Sequence, residues 1–381
     1  MRGDVLIIGG GLMGCSTALQ LALRGTHCIV LDKDSPGRHA SGVNAGGLRQ
    51  LNRHPAEIPL SVAAAEMWHN IEALVDSDCD TRFPGQIRVA ESPADMQVLE
   101  ERAAMVRALG FAHEEIIGRE ELYRLVPALT PHCKGALICR NDGYGRPYHA
   151  LHAFRRKARS LGVEFRTSTR VDALEHSVDE WQVSTPKGEF RAPVLVNCAG
   201  AWAGRIAAVL GDTAPVTPGA PMLMITERLP RFLEPVIGAA SRKLSCKQMQ
   251  NGTVLIGGAH MAELDIAGQS TEMNWARLAV SARTVMALFP QLENARIVRT
   301  WAGIEAFMPD NLPVIGRSST SPHAYHAFGF SAHGFQLSPV VGKIMAQLIL
   351  DGRTALPIKP FSIERFAPAS NPPTPAPAPF Q

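Results

Sequence analysis

The chain has 381 residues, 46% hydrophobic and 19% charged, with a formal net charge of +3. That is enough chain for two domains, or for one large domain carrying an insertion, around a full core. So small a net charge argues against nucleic acid or an anionic membrane surface as the main partner. The cysteines, at 15, 28, 79, 133, 139, 198 and 246, are odd in number and form no C-x-x-C pair. They offer no zinc or iron–sulfur pattern, and Cys15, Cys28 and Cys198 read as small buried thiols in a reducing compartment. The first strand begins almost at once, leaving no room for a signal peptide, and no run of about 20 apolar residues occurs. The expectation is a cytoplasmic protein without a transmembrane segment or a metal site.

Residues 4–34, DVLIIGGGLMGCSTALQLALRGTHCIVLDKD, open on an apolar strand, Val5 to Ile8. Gly9, Gly11 and Gly14 follow at G-x-G-x-x-G spacing, and a helix is predicted from Leu12 to Arg24, closed by Gly25. A second strand, Cys28 to Leu31, ends at Asp32. Strand, turn, helix, strand and acid stand in the order of a dinucleotide site. Gly9 permits the tight turn, Gly11 keeps no side chain between the backbone and a pyrophosphate, and Gly14 lets the helix pack closely. The free N–H groups of the helix start face the phosphates, and Asp32 stands where a carboxylate accepts ribose hydroxyls.

The loop 36–54, PGRHASGVNAGGLRQLNRH, is long and polar enough to be functional. Helices are predicted at Ser61–Val75, Asp95–Leu109 and Tyr148–Gly162, with a short one or a turn around Leu122–Leu129. Strands are predicted at Phe83–Ala90, in GALICRNDGYGRP, and through VEFRTSTRVDAL, the last meeting a strand near Trp181–Ser184. APVLVNCAGAWAGRIAAVLG then repeats the opening grammar: a strand at Val194–Asn197, a small-residue turn at Ala199–Ala201, and a helix to Leu210. Two such units so far apart predict one sheet built from separate pieces of chain. From Pro215 to Ile297 alternating strands and one helix, Trp275 to Phe289, suit an inserted antiparallel domain, with Trp275 as a core residue and Met222, Met224 and Met249 on core strand faces. A buried strand at Tyr325–Phe328, the loop GFSAHGFQ and a helix from Ser338 to Leu350 close the pattern.

Taken together, the glycine turn with Asp32, SGVNAGGLR, DGYGRP, VNCAGAWA, WAGIEAFMPDNLPVIG and FGFSAHGFQLSPVVG resemble the flavoprotein amine and amino-acid oxidases. These include glycine oxidase, sarcosine oxidase and D-amino-acid oxidase. The last two segments are similar to the FAD subunits of bacterial D-hydroxyproline dehydrogenase, opine oxidase, hydrogen cyanide synthase and sarcosine oxidase beta. The resemblance implies an α/β fold: a discontinuous Rossmann-like FAD-binding domain (1–80, 145–214, 298–365) with an inserted α+β antiparallel-sheet substrate domain (81–144, 215–297). Residues 366–381 read as a proline-rich disordered tail.

The resemblance also implies cofactor contacts. Gly9, Gly11, Leu12, Met13 and Gly14 would hold the pyrophosphate, and Asp32, with Lys33 beside it, the ribose. Ser41, Asn44, Gly46, Gly47 and Leu48 would pass the phosphates toward the flavin ring, and Val171 would meet the adenine. Ala199, Gly200, Trp202 and Gly303 would add contacts. Gly329, Ala332, His333, Gly334, Phe335 and Gln336 would lie near flavin N1 and O2, where reduced flavin carries negative charge. Arg49 and His333 are candidates for the same neighbourhood; the alternatives are a surface arginine and a solvent-facing loop histidine.

The implied reaction oxidises a C–N bond of an amino acid or secondary amine by hydride transfer to flavin N5, giving an imine. Hydroxyproline, proline, sarcosine and opine-like compounds are the candidate substrates. Glu305 stands where glycine oxidase-like members have a carboxylate-gripping arginine, so it either faces an ammonium or guanidinium group or turns away. No cysteine lies in 300–320 to anchor the flavin, so FAD is expected to be non-covalent. Small redox partner subunits suit a chain without its own iron–sulfur cysteines, and direct reaction with oxygen suits it equally. A flavoprotein assembly factor and a tRNA-modifying amine oxidase are the alternatives.

Overall fold

Four apolar residues without polar alternation, Val5–Ile8, make a strand only where both faces are covered, and the fold covers both. The computed structural model describes residues 1–367. Val5–Ile8 lies inside a six-stranded sheet whose order is Val314–Arg317, Ala324–Phe328, Val194–Asn197, Val5–Ile8, Cys28–Leu31 and Glu164–Arg166. All neighbours run parallel except the edge strand Val314–Arg317. The two strand–glycine–helix units are therefore adjacent, with Ile8 beside Asn197. One face packs on helices Leu12–Ala22, Ile58–His69, Pro147–Ser160 and Gly334–Leu350, with Leu19, Trp68, Phe154 and Leu337 fully buried between them. The other face meets a three-stranded antiparallel meander, Ala173–Ser177, Glu180–Thr185 and Gly188–Ala192, through Leu6, Ile29, Trp181 and Phe190.

A second, eight-stranded sheet stands over the carboxyl ends of these strands. Its order is Ile297–Ala302, Pro221–Arg228, Thr253–Met261, Ser245–Gln248, Val236–Ala239, Gln86–Ala90, Gly135–Cys139 and Glu115–Gly118. Its pairings are antiparallel except Val236–Ala239 against Gln86–Ala90, where two distant segments of chain meet in parallel. Helix Trp275–Leu288 covers it through Leu278, Val285 and Leu288.

Several local expectations are corrected. The stretch predicted as one strand, VEFRTSTRVDAL, is two: Glu164–Arg166 ends the parallel sheet and Ala173–Ser177 begins the meander. Between them Ser168 takes a left-handed conformation (φ 50°) and the Thr169 amide donates to the Asp32 carbonyl, which breaks the run. The edge strand Ile297–Ala302 pairs in the eight-stranded sheet, so the first residues assigned to the last FAD-binding segment belong to that sheet. The final helix begins at Gly334, four residues before the expected Ser338. Pro339 is tolerated inside it because the Ser338 hydroxyl donates to the Phe335 carbonyl that proline cannot serve (2.9 Å). Trp275 is 64% exposed at the first residue of its helix, not in the core, while Met222 and Met224 are buried as expected. Of the proline-rich tail, Phe366 still packs against the Val314 and Phe328 cluster; residues 368–381 lie outside the described part.

Candidate functional site

The glycine turn is built by close backbone approach. Gly9 has φ +107°, and a side chain there would strike the Cys198 carbonyl of the second unit. A Cβ at Gly14 would run into the Gly9 carbonyl, so the helix packs on the turn only if both stay bare. Helix Leu12–Ala22 has no side-chain cap and no acid in its first turn. The Leu12 amide donates to Ser41 Oγ (2.9 Å), and Gly11, Leu12 and Met13 line a cavity. The helix start thus presents amide groups and a positive dipole end to that cavity.

Asp32 ends the second strand beside the turn. Its Oδ2 accepts from the Gly10 amide (2.7 Å) and its Oδ1 from the Asp34 amide (2.8 Å). Burial raises its pKa, against the pull of those two amides. Lys33 lies over the Trp202 ring, 3.7 Å from its centroid, and bonds to Asp34 and Gln269. Val171 follows the Thr169 contact to Asp32 and packs against the strand core.

The cavity, about 920 Å³, lies between this end of the parallel sheet and the eight-stranded sheet. Ser41, Asn44, Gly46 and Gly47 line it from one loop, Gly200 and Gly303 from two others, and Gly329, Ala332, His333, Gly334 and Phe335 from the last. Leu48 points into the core at 3% exposure, Gln336 is buried behind the loop on Ser61, and Ala199, Trp202 and Lys33 lie outside the lining. The last loop is strained: Ser331 (φ 48°) and Ala332 (φ 69°) are both left-handed. It is clamped by the Ser331 amide donating to the Ala306 carbonyl (3.0 Å) and the Met308 amide donating to Ser331 Oγ (3.1 Å).

His333 faces the cavity and does not point to bulk solvent; its Nδ1 is 3.0 Å from the fully buried Glu57. Burial, then Arg53, pushes the imidazole down to about 4, so it is neutral at pH 7. Glu57 stays ionised, because His333, Arg53 and Arg49 outweigh the burial that opposes its charge. The neutral ring then donates from Nδ1 and leaves Nε2 as an acceptor. Arg49 is not a surface arginine: it lines the cavity and donates from Nη1 to the Leu51 carbonyl (2.7 Å). Glu305 also faces the cavity, and burial pushes its carboxyl up to about 7.

Three cations escaped the sequence reading. Arg53 and Arg88 line the cavity, and buried Lys247 donates to the Ala45 carbonyl above the Tyr144 ring, with burial lowering its pKa to about 7. Arg88 carried a usable signal. In QIRVA the alternation buries Ile87 and Val89 on one face, which turns Arg88 to the other.

The residues present fit FAD. The bare cradle at Gly9 and Gly14, the uncapped helix start, Asp32 at the strand end and a cavity of dinucleotide size lie on one side of the sheet. Residues 4–348 match the family model DAO, FAD dependent oxidoreductase. The chain is 27% identical to the HcnC component of hydrogen cyanide synthase from Pseudomonas aeruginosa, covering 96% of both proteins. It is 27% identical to an opine oxidase subunit of Rhizobium meliloti, over 95% of this chain and 97% of that one. The crystal structure of L-proline dehydrogenase from P. horikoshii superposes with a TM-score of 0.89 at 26% identity, over 96% of this chain and 98% of that one. With the turn, both sheets and the cavity inside the matched span, the chain belongs to the DAO family of FAD-dependent oxidoreductases.

Proposed function

We infer that the chain oxidises the C–N bond of an amino acid or secondary amine, with non-covalent FAD. The observation that carries this reading is that the dinucleotide turn and the strained Gly329–Gly334 loop open onto one cavity lined by a lone carboxylate and several arginines. FAD, when bound, supplies the two-electron acceptor for the hydrogen leaving the carbon beside nitrogen. The chain supplies the rest. The Gly11 and Met13 amides, with the helix end behind them, bind the pyrophosphate, and Asp32 accepts from the ribose. The start of helix Gly334–Leu350, at the cavity wall, supplies positive partial charge where a negative ring edge is stabilised. The eight-stranded sheet supplies the cavity's second wall through Arg88, Met222 and Leu223. The seven cysteines are buried and unpaired, which supports a reducing compartment, the cytoplasm. No described helix is long and apolar enough to cross a membrane.

Two curated relatives are named as subunits, which supports a dehydrogenase that hands electrons to a partner chain. The test is anaerobic mixing of the purified yellow protein with proline, hydroxyprolines of both hands, sarcosine, glycine and opines. Bleaching of the flavin band by one of them is expected, and slow recovery in air would mark a dehydrogenase. A flavin band that stays intact with every amine would overturn the reading in favour of an assembly role.

A further inference from the structure

The cavity wall is electrically lopsided. Arg49, Arg53, Arg88, Arg242 and Lys243 line it against a single carboxylate, Glu305. Arg242 is committed to Glu91 (2.6 Å) and Lys243 is exposed, so the inner cations are Arg49, Arg53 and Arg88. Among the described residues none of these three makes an ion pair. Arg49 donates to the Leu51 and Asn52 carbonyls, Arg88 to the Ala240 carbonyl (2.9 Å), and Arg53 to the Arg49 carbonyl (2.8 Å) and Gln336 Oε1 (3.3 Å). All of those acceptors are neutral.

The carboxylates behind the arginines are already used. Glu57 holds His333, Asp142 accepts from the Gln50 and Leu51 amides, and Glu114 pairs with Arg102. Arg53 is only 2% exposed, yet its Nη1 has no acceptor. A buried guanidinium arm left so is unfavourable until an anion reaches it. Burial and the charge of Arg49 both work against the positive charge of Arg53 and Arg88, so the three crowd one region. Glu305 stands apart from them: only burial and the Ala332 amide act on its charge.

We propose that the chamber takes an amino dicarboxylate, its carboxylates held by Arg49, Arg53 and Arg88 and its amine nitrogen by Glu305. A zwitterion with one carboxylate brings no net charge to a wall with three inner cations and one anion. An amino dicarboxylate brings a net negative charge together with the cation that Glu305 lacks. Ionised Glu305 takes a proton from the bound ammonium and becomes a carboxylic acid, leaving the nitrogen with its lone pair. The assignment rests on the amine-oxidation reading for the chemistry that follows, but its binding test does not.

Three probes of similar shape separate the two ends: butyrate, glutarate, and iminodiacetate, in which an NH₂⁺ replaces the central CH₂ of glutarate. Each is titrated anaerobically into the FAD-loaded protein at about pH 8, where Glu305 is ionised, and the shift of the flavin band is followed. Glutarate is expected to bind at least about tenfold more tightly than butyrate, and iminodiacetate about tenfold more tightly than glutarate. Arg88→Gln should erase the first ratio and Glu305→Gln only the second. Should Arg88→Gln lose FAD, Arg88→Lys decides, because an ammonium cannot offer the two-pronged donor and the first ratio must still fall. Equal binding of butyrate and glutarate, or ratios that survive these substitutions, would overturn the proposal. Ratios that hold while no amine bleaches the flavin would leave the dicarboxylate site standing and sink the oxidation reading instead.

Discussion

The glycine turn and the charged wall of the same cavity are built on opposite principles. The turn uses one short stretch of chain and almost no side chains; backbone amides, one helix end and Asp32 do the work. The wall draws Arg49 and Arg53 from a loop, Arg88 from a sheet strand and Glu305 from a strand far later in the chain. Backbone donors are cheap to present because the helix needs them free in any case. Buried charges without partners are expensive, and a fold keeps them only where something else offsets the cost. The difference teaches where each kind of information resides: a cofactor cradle is local, while a substrate wall is an assembly.

Four substitutions break or sharpen that contrast. Gly14→Val should have the largest effect, because its side chain collides with the Gly9 carbonyl. We predict a cost of about 3 kcal/mol or more and a protein purified without colour. Stoichiometric FAD in that variant would refute the cradle. Glu57→Ala, which strips the partner from His333, should cost about 2 kcal/mol. Thermal unfolding reads it, and an unchanged Tm would show that the Glu57–His333 bond contributes nothing.

Glu305→Gln tests the wall through pH. The Glu305 carboxyl is raised above its unfolded value, so its contribution to stability is present below about pH 4.5 and is lost as pH rises through about 7. The FAD-free variant should therefore melt higher than the parent at about pH 8 and equally at about pH 4. Equal melting at both would remove Glu305 from the buried wall. Trp68→Phe should have the smallest effect, about 1 kcal/mol. It loses the indole N–H bond to the Gln336 carbonyl (2.7 Å) while keeping the ring against Phe335. A loss of FAD on that change would mean the helix position is far more sensitive than one hydrogen bond allows.

Residues whose meaning depends on near neighbours could be read without coordinates. Gly9 to Asp32 follow from strand, glycine spacing and helix period, and Val194–Asn197 from the same grammar repeated. The start of the last helix is not legible in the sequence, because proline reads as a helix boundary whereas the Ser338 hydroxyl repairs the missing bond. The strand break after Arg166 has no local signal, because it depends on an amide reaching back to Asp32 across the sheet. His333 and Glu57 are 276 residues apart in the chain, and no local pattern joins them.

The sequence by itself determined the nucleotide turn, the parallel core and the family, because period, glycine spacing and apolar runs act over a few residues. Only the tertiary structure decided which charges share a cavity. Arg53, Arg88 and Glu305 acquire their character from burial and from what does or does not stand opposite them, and neither quantity exists until distant segments pack.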